Sequence, residues 1–309
     1  MAINKVMRAA LQALSYADID VKKNYKLQRQ MVNLTHPPFL KPFYRIWDHK
    51  IETGGHEIPV RIFTPPEGEK RPVLLFFHGG GWVTGNIDSY NNVCTNMARL
   101  TEHRVVSVDY RLAPEYPFPE GLLDCYCVAR ELFLDGTLLD AAPEEITLIG
   151  DSAGANLAAA VSLMARDKGE FLPQKQILLY PSTYNDHSEQ SKFPSIHENG
   201  TGFLLTSKRV CDYMELYMGK EADLQNPYFA PLLAEHLQNQ PSTLVITAEY
   251  DPLRDEGEEY AKRLKQDGNH VELHRIADAL HGFFSLPPSF EQVRDCYEII
   301  NRFLIEVTA

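Results

Sequence analysis

The stretch ITLIGDSAGANLA, residues 146–158, joins a short apolar run to a helix-forming run through a turn. Ser152 stands at the centre of this turn, with Gly150 and Gly154 two positions to either side. The pattern Gly-x-Ser-x-Gly between a strand and a helix is typical of a nucleophile elbow, a turn so tight that both flanking positions must lack side chains. The dipole of the following helix favours negative charge at the serine. The spacing alone is weakly specific, but its context makes Ser152 the candidate nucleophile.

The rest of the chain alternates short apolar runs with runs of helical periodicity. Nearly all-apolar strands are expected in a parallel sheet that helices cover on both faces. The strand candidates are residues 73–77, 105–108, 146–149, 177–180, 244–247 and 271–276. Apolar residues at helical spacing predict helices in the runs 93–100, 122–133, 156–165 and about 290–307. This alternation predicts an α/β fold with a doubly wound, mostly parallel sheet.

Two segments interrupt the alternation. Residues 1–45 are helical and aromatic in character, and residues 183–225 separate the two parts of the predicted core, 46–182 and 226–309. Each segment is either ordinary decoration or part of a helical cap over the end of the sheet, where open α/β folds bind ligands. The aromatic candidates for a cap pocket are Phe39, Phe43, Trp47, Tyr184, Phe203 and Tyr213. The residues that we single out as candidate substrate contacts are Trp82, Tyr184 and Phe203.

A glycine-rich loop, HGGGW at residues 78–82, directly follows the apolar run 73–77. Three adjacent glycines leave backbone N–H groups unshielded, so two of them can point at a developing oxyanion. A third donor would come from the N–H of Ala153, the residue after the nucleophile. A phosphate-binding loop is the alternative, but no GxGxxG pattern occurs here and no Lys-Ser or Lys-Thr pair follows.

A serine nucleophile needs a neutral imidazole as base and a carboxylate to orient it. Among eleven histidines, His281 is the one in a loop between a predicted strand and the last helix. Asp251 follows another predicted strand, whereas Asp255 would begin the next helix, where a carboxylate is a routine cap. Asp278 is expected on the same loop as His281, from which it cannot easily reach the far side of the ring. The chain order Ser152, Asp251, His281 is that of the α/β-hydrolases.

Five motifs together carry a family resemblance: HGGGW, DYRLAPE at residues 109–115, GDSAGANLA, EYDPLRDEG and HGF. As a set they are highly specific, and the similarity extends from about residue 45 to residue 305. The chain resembles the hormone-sensitive-lipase-like group of α/β-hydrolases, which includes bacterial carboxylesterases and acetyl esterases. One departure is Ala155, where many relatives have glycine; since the side chain stays small, no catalytic consequence is expected.

The resemblance implies the α/β-hydrolase fold with a helical cap made from the N-terminus and an insertion. It implies Ser152 as nucleophile, Asp251 as acid and His281 as base. It implies that the N–H groups of Gly80 and Gly81 are oxyanion donors together with that of Ala153. Relatives are often dimers, so a homodimer is an expectation of the resemblance, although no interface can be read from the residues.

The amino-acid composition limits which partners and which cellular compartment are expected. The 309 residues carry a formal charge of −12, and an acidic surface argues against binding to nucleic acid or anionic membranes. Five cysteines without a CxxC pair favour reduced thiols in a cytoplasmic protein. No signal-peptide pattern and no membrane-spanning run is visible. The expected partner is a small-molecule ester.

The expected reaction is hydrolysis of short-chain esters through an acyl-serine intermediate, without metal or cofactor. Activity should fall in acid as the base becomes protonated. A deacetylase of sugars or xylan fragments would use the same chemistry on a different alcohol. A long-chain lipase, a prolyl-oligopeptidase-type peptidase and a non-catalytic receptor on the same fold are less favoured. The peptidase usually carries a propeller domain, for which the preceding chain is too short, and the receptor lacks the triad histidine.

Overall fold

The computed structural model describes residues 20–35, 45–53, 55–65 and 71–305 of the chain. Eight strands form one sheet in the order β1-β2-β4-β3-β5-β6-β7-β8. The strands are β1 (Arg45–Glu52), β2 (Glu57–Thr64), β3 (Val73–Phe77), β4 (Arg104–Val108), β5 (Ile146–Asp151), β6 (Lys175–Leu179), β7 (Ser242–Tyr250) and β8 (Val271–Leu280). The pairs β1–β2 and β2–β4 are antiparallel, and the other five pairs are parallel. The prediction of a mostly parallel sheet is therefore confirmed.

The helices cover both faces of the sheet, as a doubly wound fold requires. They are α1 (Val21–Thr35), α2 (Asn91–Thr101), α3 (Glu120–Leu134), α4 (Ala153–Lys168), α5 (Pro194–Asn199), α6 (Ser207–Tyr217), α7 (Arg254–Gln266) and α8 (Glu291–Ile305). Short 3-10 turns occur at Gly136–Leu138, Pro143–Glu145, Glu221–Gln225, Pro231–Leu233 and Phe283–Ser285. Helices α2 and α8 bury one apolar cluster, and α3, α4 and α7 contribute to a second. Every residue of β3, β4 and β5 is consequently buried.

The predicted strands are all present, but the last one is longer than its apolar run. Residues 277–280 continue β8, and Leu280 still pairs with Tyr250 after a register shift. Asp278 therefore lies in the strand, with a φ of 55°, and the expectation that it belongs to a loop is wrong. Its polar side chain interrupts the apolar pattern although the backbone pairing persists, which is why the pattern alone ended the strand too early.

Helices also occupy the two segments that interrupt the alternation. Helix α1 lies within residues 1–45, and α5 and α6 lie within residues 183–225. Helix α1 packs against α6. Trp47 is instead part of the edge strand β1 and is 65% exposed, so it is not a residue of a cap pocket. Phe39 and Phe43 lie outside the described residues.

Within the ranges described, no helix is both long and apolar enough to cross a membrane. All five cysteines are free thiols, and three of them are buried.

Candidate active site

The serine turn joins β5 to α4 with strained geometry. Ser152 has φ 54° and ψ −119°, a conformation that residues with side chains rarely adopt. A Cβ on Gly150 would lie 2.2 Å from the carbonyl oxygen of Gly154, and a Cβ on Gly154 would lie 1.9 Å from that of Phe77. Because backbone atoms occupy both places, only glycine fits at either position. The turn holds the Ser152 hydroxyl at the carboxyl end of the parallel strands.

Three side chains meet in a hydrogen-bonded row at this end of the sheet. Ser152 Oγ lies 2.8 Å from His281 Nε2, and His281 Nδ1 lies 2.7 Å from Asp251 Oδ2. Asp251 is fully buried at the end of β7, and its other oxygen accepts the N–H of Leu253 at 2.9 Å. The ring of Tyr180 packs edge-on against the imidazole, with centroids 4.9 Å apart. A carboxylate on Nδ1 leaves Nε2 free to accept a proton from the hydroxyl.

The other two aspartates considered from the sequence make different contacts. Asp255 accepts the N–H of Ser195 at 2.7 Å and pairs with Arg254 at 2.8 Å near the start of α7. The N–H of Asp278, in β8, donates to Glu249 at 2.7 Å. The carboxylate that orients the imidazole is thus the one at the end of β7.

The glycine-rich loop follows β3 and borders the same pocket as the serine. Gly80, Gly81 and Trp82 have φ values of 119°, 61° and 59°, so three successive residues lie in the region that favours glycine. Gly80 and Gly81 line the pocket with Ala153, the first residue of α4. The three residues predicted to supply backbone donors therefore border the same pocket as Ser152.

Asp151 is a buried residue of the site that the sequence argument missed. Its Oδ1 accepts the N–H of Gly79 at 2.8 Å, and its Oδ2 accepts the hydroxyls of Tyr90 and Tyr180 at 3.1 and 3.3 Å. Burial raises the pKa of Asp151 to about 6, although these hydrogen bonds oppose the shift. The carboxylate ties the glycine-rich loop to the serine turn. Its place beside Ser152 was visible in the motif, but the direction of its side chain was not.

His78, the first residue of the loop, is also buried. Burial lowers its pKa to about 4, against the opposing effect of a hydrogen bond between its ring and the backbone of Gly79. The ring stacks on Tyr110, with centroids 4.3 Å apart. A neutral imidazole at this position packs the loop onto the sheet, and it is not the histidine of the row.

The pocket at Ser152 has a volume of about 200 Å³ and a largely apolar wall. Trp82 lines it, as expected, but Tyr184 and Phe203 are not lining residues. Tyr184 packs edge-on against Phe193, and Phe203 stacks on Tyr250. Within the segment 183–225, the side chains that line the pocket are those of Leu205, Val210 and Tyr213. The orientation of α6 about its own axis determines that Val210 and Tyr213 are the side chains of this helix that face the serine.

A larger cavity of about 860 Å³ lies on the opposite side of α6. None of the three residues of the hydrogen-bonded row lines it, so we assign the chemistry to the smaller pocket. Among the residues that the structure describes, no cluster of histidine, cysteine and carboxylate side chains is suited to hold a metal ion.

Comparison with known proteins gives one consistent result. A family described as having the alpha/beta hydrolase fold matches residues 74–285. An arylesterase of Saccharolobus solfataricus is 36% identical over 305 residues, which cover 95% of this chain and 96% of the relative. Carboxylesterase NlhH of Mycobacterium tuberculosis is 36% identical over 256 residues, covering 81% of this chain and 79% of the relative. The solved structure of a hyperthermophilic esterase from Pyrobaculum calidifontis matches with a TM-score of 0.85 at 34% identity, covering 98% of each chain.

Proposed function

The chain belongs to the hormone-sensitive-lipase-like group of the α/β-hydrolase family and is an ester hydrolase, and on that premise we propose that it is a serine carboxylesterase for short-chain esters of small alcohols. The observation that carries the proposal is the row from Ser152 Oγ through His281 to the buried carboxylate of Asp251. The 2.8 Å contact between Ser152 Oγ and His281 Nε2 is short enough for direct proton transfer. The 2.7 Å contact between His281 Nδ1 and Asp251 orients the imidazole and stabilises its protonated form. The strained turn presents the serine, and the neighbouring loop supplies backbone donors.

The proposed reaction has two halves. In the first, His281 takes the proton of Ser152 as the hydroxyl oxygen attacks the ester carbonyl. The N–H groups of Gly80, Gly81 and Ala153 stabilise the oxyanion, and each donor is worth about 3 kcal/mol of barrier in comparable hydrolases. The imidazolium then gives its proton to the leaving alcohol, and an acyl-serine remains. In the second half, water attacks the acyl group with the same base, and Asp251 stays ionised throughout.

The preference for short acyl groups is supported by the size and lining of the pocket. A volume of about 200 Å³ is below the range of roughly 300–1,000 Å³ that drug-sized ligands occupy. Leu205, Val210 and Leu253 make part of the wall apolar. Such a wall favours an acyl chain and a simple alcohol over a sugar, whose hydroxyls need polar partners.

We also propose that α1 and residues 183–225 act together as a cap over the pocket. The ammonium of Lys22 lies 3.7 Å from the carboxylate of Asp212, and the hydroxyl of Tyr213 lies 3.3 Å from Gln28 Oε1. These contacts join α1 to α6, the helix that supplies Val210 and Tyr213 to the wall. A cytoplasmic location and a homodimer remain predictions.

A burst experiment tests the proposed mechanism. Mixed with excess p-nitrophenyl acetate, the protein should release one equivalent of p-nitrophenol rapidly, because this good leaving group makes acylation of Ser152 faster than hydrolysis of the acyl-enzyme. Ser152→Ala should abolish both the burst and the turnover. The matched control is Ser162→Ala, on the helix that follows Ser152, since the hydroxyl of Ser162 bonds to Gln176 in the interior. A folded Ser152→Ala protein with unchanged turnover would refute the assignment of the nucleophile.

Substrate profiling tests the specificity. We expect kcat/KM to fall from p-nitrophenyl acetate and butyrate to the octanoate, and acetylated xylose to be a poorer substrate than a simple alkyl acetate. A preference for acetylated xylose would favour the sugar deacetylase. Binding of small molecules without any turnover would favour the receptor.

A further inference from the structure

The glycine-rich loop holds an unfavourable backbone conformation that something must maintain. Three successive residues have φ between 59° and 119°, and the third, Trp82, is not glycine. A left-handed conformation costs a residue with a side chain roughly 1–2 kcal/mol. Such strain persists only where the surrounding structure over-determines it. The position of the Gly80 and Gly81 N–H groups therefore depends on what binds the residues that follow them.

Two carbonyl groups of this region are bound by one side chain of α1. Arg29 Nε donates to the carbonyl oxygen of Val83, and Arg29 Nη2 donates to that of Ala113, both at 2.6 Å. Ala113 in turn donates its N–H to the carbonyl oxygen of Trp82 at 2.9 Å. The guanidinium thus links the residue directly after the strained run to the segment that already binds Trp82.

The guanidinium is itself held in place from its other edge. Nη1 and Nη2 donate to the two carboxylate oxygens of Glu115 at 3.1 and 2.8 Å, a bidentate pair. The guanidinium carbon lies 5.1 Å from the centroid of the Tyr25 ring, and the Arg29 side chain is 24% exposed. A planar group with donors at fixed angles can satisfy all these acceptors together, which the single ammonium of a lysine cannot.

We propose that Arg29 is a positioning residue for the glycine-rich loop. Through this side chain, α1 influences the chemical step. The inference rests on the proposed function, because it concerns the same backbone donors. Without the guanidinium, the carbonyl of Val83 loses its partner and the strained run can relax. Because the donors must match the oxyanion rather than the ground-state carbonyl, their displacement weakens binding of the transition state more than binding of the substrate.

The test compares Arg29→Met with Lys22→Met, a matched change on the same helix. Lys22 pairs with Asp212 and Glu215 of α6, so its loss weakens docking of α1 while the Arg29 contacts stay. For each variant, kcat and KM on p-nitrophenyl acetate and the melting temperature are measured. The inhibition constant of an alkyl trifluoromethyl ketone is also measured, because its adduct with the serine carries an oxyanion.

Arg29→Met should lower kcat by about 10- to 100-fold while KM changes by less than about threefold. The inhibition constant of the ketone should rise by about the factor by which kcat/KM falls. Lys22→Met should change kcat by less than about twofold, whatever it does to the melting temperature. Equal losses of kcat in both variants, a change in KM alone, or a folded Arg29→Met with unaltered kcat would each overturn the inference.

Arg29→Lys keeps the test decisive if Arg29→Met does not fold. It retains the charge that faces Glu115 but cannot reach the carbonyls of Val83 and Ala113 together, so kcat should still fall several-fold. Unaltered kcat in Arg29→Lys would count against the inference. A wild-type protein that does not hydrolyse p-nitrophenyl acetate would refute the proposed function and this inference with it, whereas an active wild type beside an unaffected Arg29→Met would refute the inference alone.

Discussion

Replacing Asp151 by asparagine should change the stability of the protein, measured relative to wild type, more favourably at pH 8 than at pH 5. Burial raises the pKa of this carboxyl from 3.8 to about 6, against hydrogen bonds from Gly79, Tyr90 and Tyr180 that favour the charged form. Asparagine has nearly the same shape and stays neutral. Its oxygen can still accept the N–H of Gly79, and its amide can donate to the tyrosine hydroxyls.

The magnitude follows from the linkage between proton binding and folding. Because the folded-state pKa lies above the unfolded-state value, the folded protein binds the proton more tightly, and the free energy of unfolding decreases as pH rises through that window. The full effect of a shift from 3.8 to about 6 is about 3 kcal/mol, and roughly half of it falls between pH 5 and pH 8. The stability of Asp151→Asn relative to wild type should therefore improve by about 1.4 kcal/mol over that interval.

Urea unfolding of both proteins at pH 5 and pH 8 measures this difference, because contributions from groups that do not interact with Asp151 cancel. Asp135→Asn is the control: hydrogen bonds from Thr137 lower the pKa of that exposed carboxyl. The stabilisation from a lowered pKa is lost only in stronger acid, so its effect should not change between pH 5 and pH 8. If Asp151→Asn responds to pH no more than Asp135→Asn does, the buried carboxylate is not destabilised as argued.

Three further changes have defined outcomes. Gly81→Ala should lower kcat/KM on p-nitrophenyl acetate at least about tenfold, because its φ is +61° and its Cβ would lie 2.4 Å from the Tyr213 ring; kinetics like those of wild type would show that the loop tolerates the side chain. Tyr213→Ala should raise the ratio of octanoate to acetate turnover by enlarging the pocket, whereas Tyr184→Ala should leave that ratio unaltered, and equal responses would contradict the lining described. His187→Ala leaves the buried carboxylate of Glu256 without the ring nitrogen that lies 2.5 Å from it; the free energy of unfolding in urea should fall by about 3 kcal/mol, and an unchanged value would mean that the pair adds no stability.

Much of the architecture could be predicted because it depends on local chemistry. Strands that helices bury on both faces must be apolar at nearly every position, as Val73–Phe77 is. The serine turn was readable for a similar reason, since backbone atoms fill the space where Gly150 and Gly154 would carry a Cβ. The row of side chains was predicted because the carboxyl ends of parallel strands meet at one edge, and Asp251 and His281 each follow a strand there.

The contacts that residues 183–225 make with the pocket could not be predicted, since no strand end and no local pattern places their side chains. Tyr184 and Phe203 are aromatic residues of the expected segment, yet Leu205, Val210 and Tyr213 line the pocket instead.

Strand alternation and the glycines of the serine turn could be predicted from the order of amino acids alone, because sterics and hydrophobic burial act on near neighbours along the chain. The sequence also indicated the three residues of the row, because each of them directly follows a strand. The direction of the Asp151 carboxylate, the face that α6 turns to the pocket and the reach of Arg29 to a loop more than fifty residues away exist only in the folded molecule. They depend on how whole elements pack, which many weak contacts decide together and no single residue specifies.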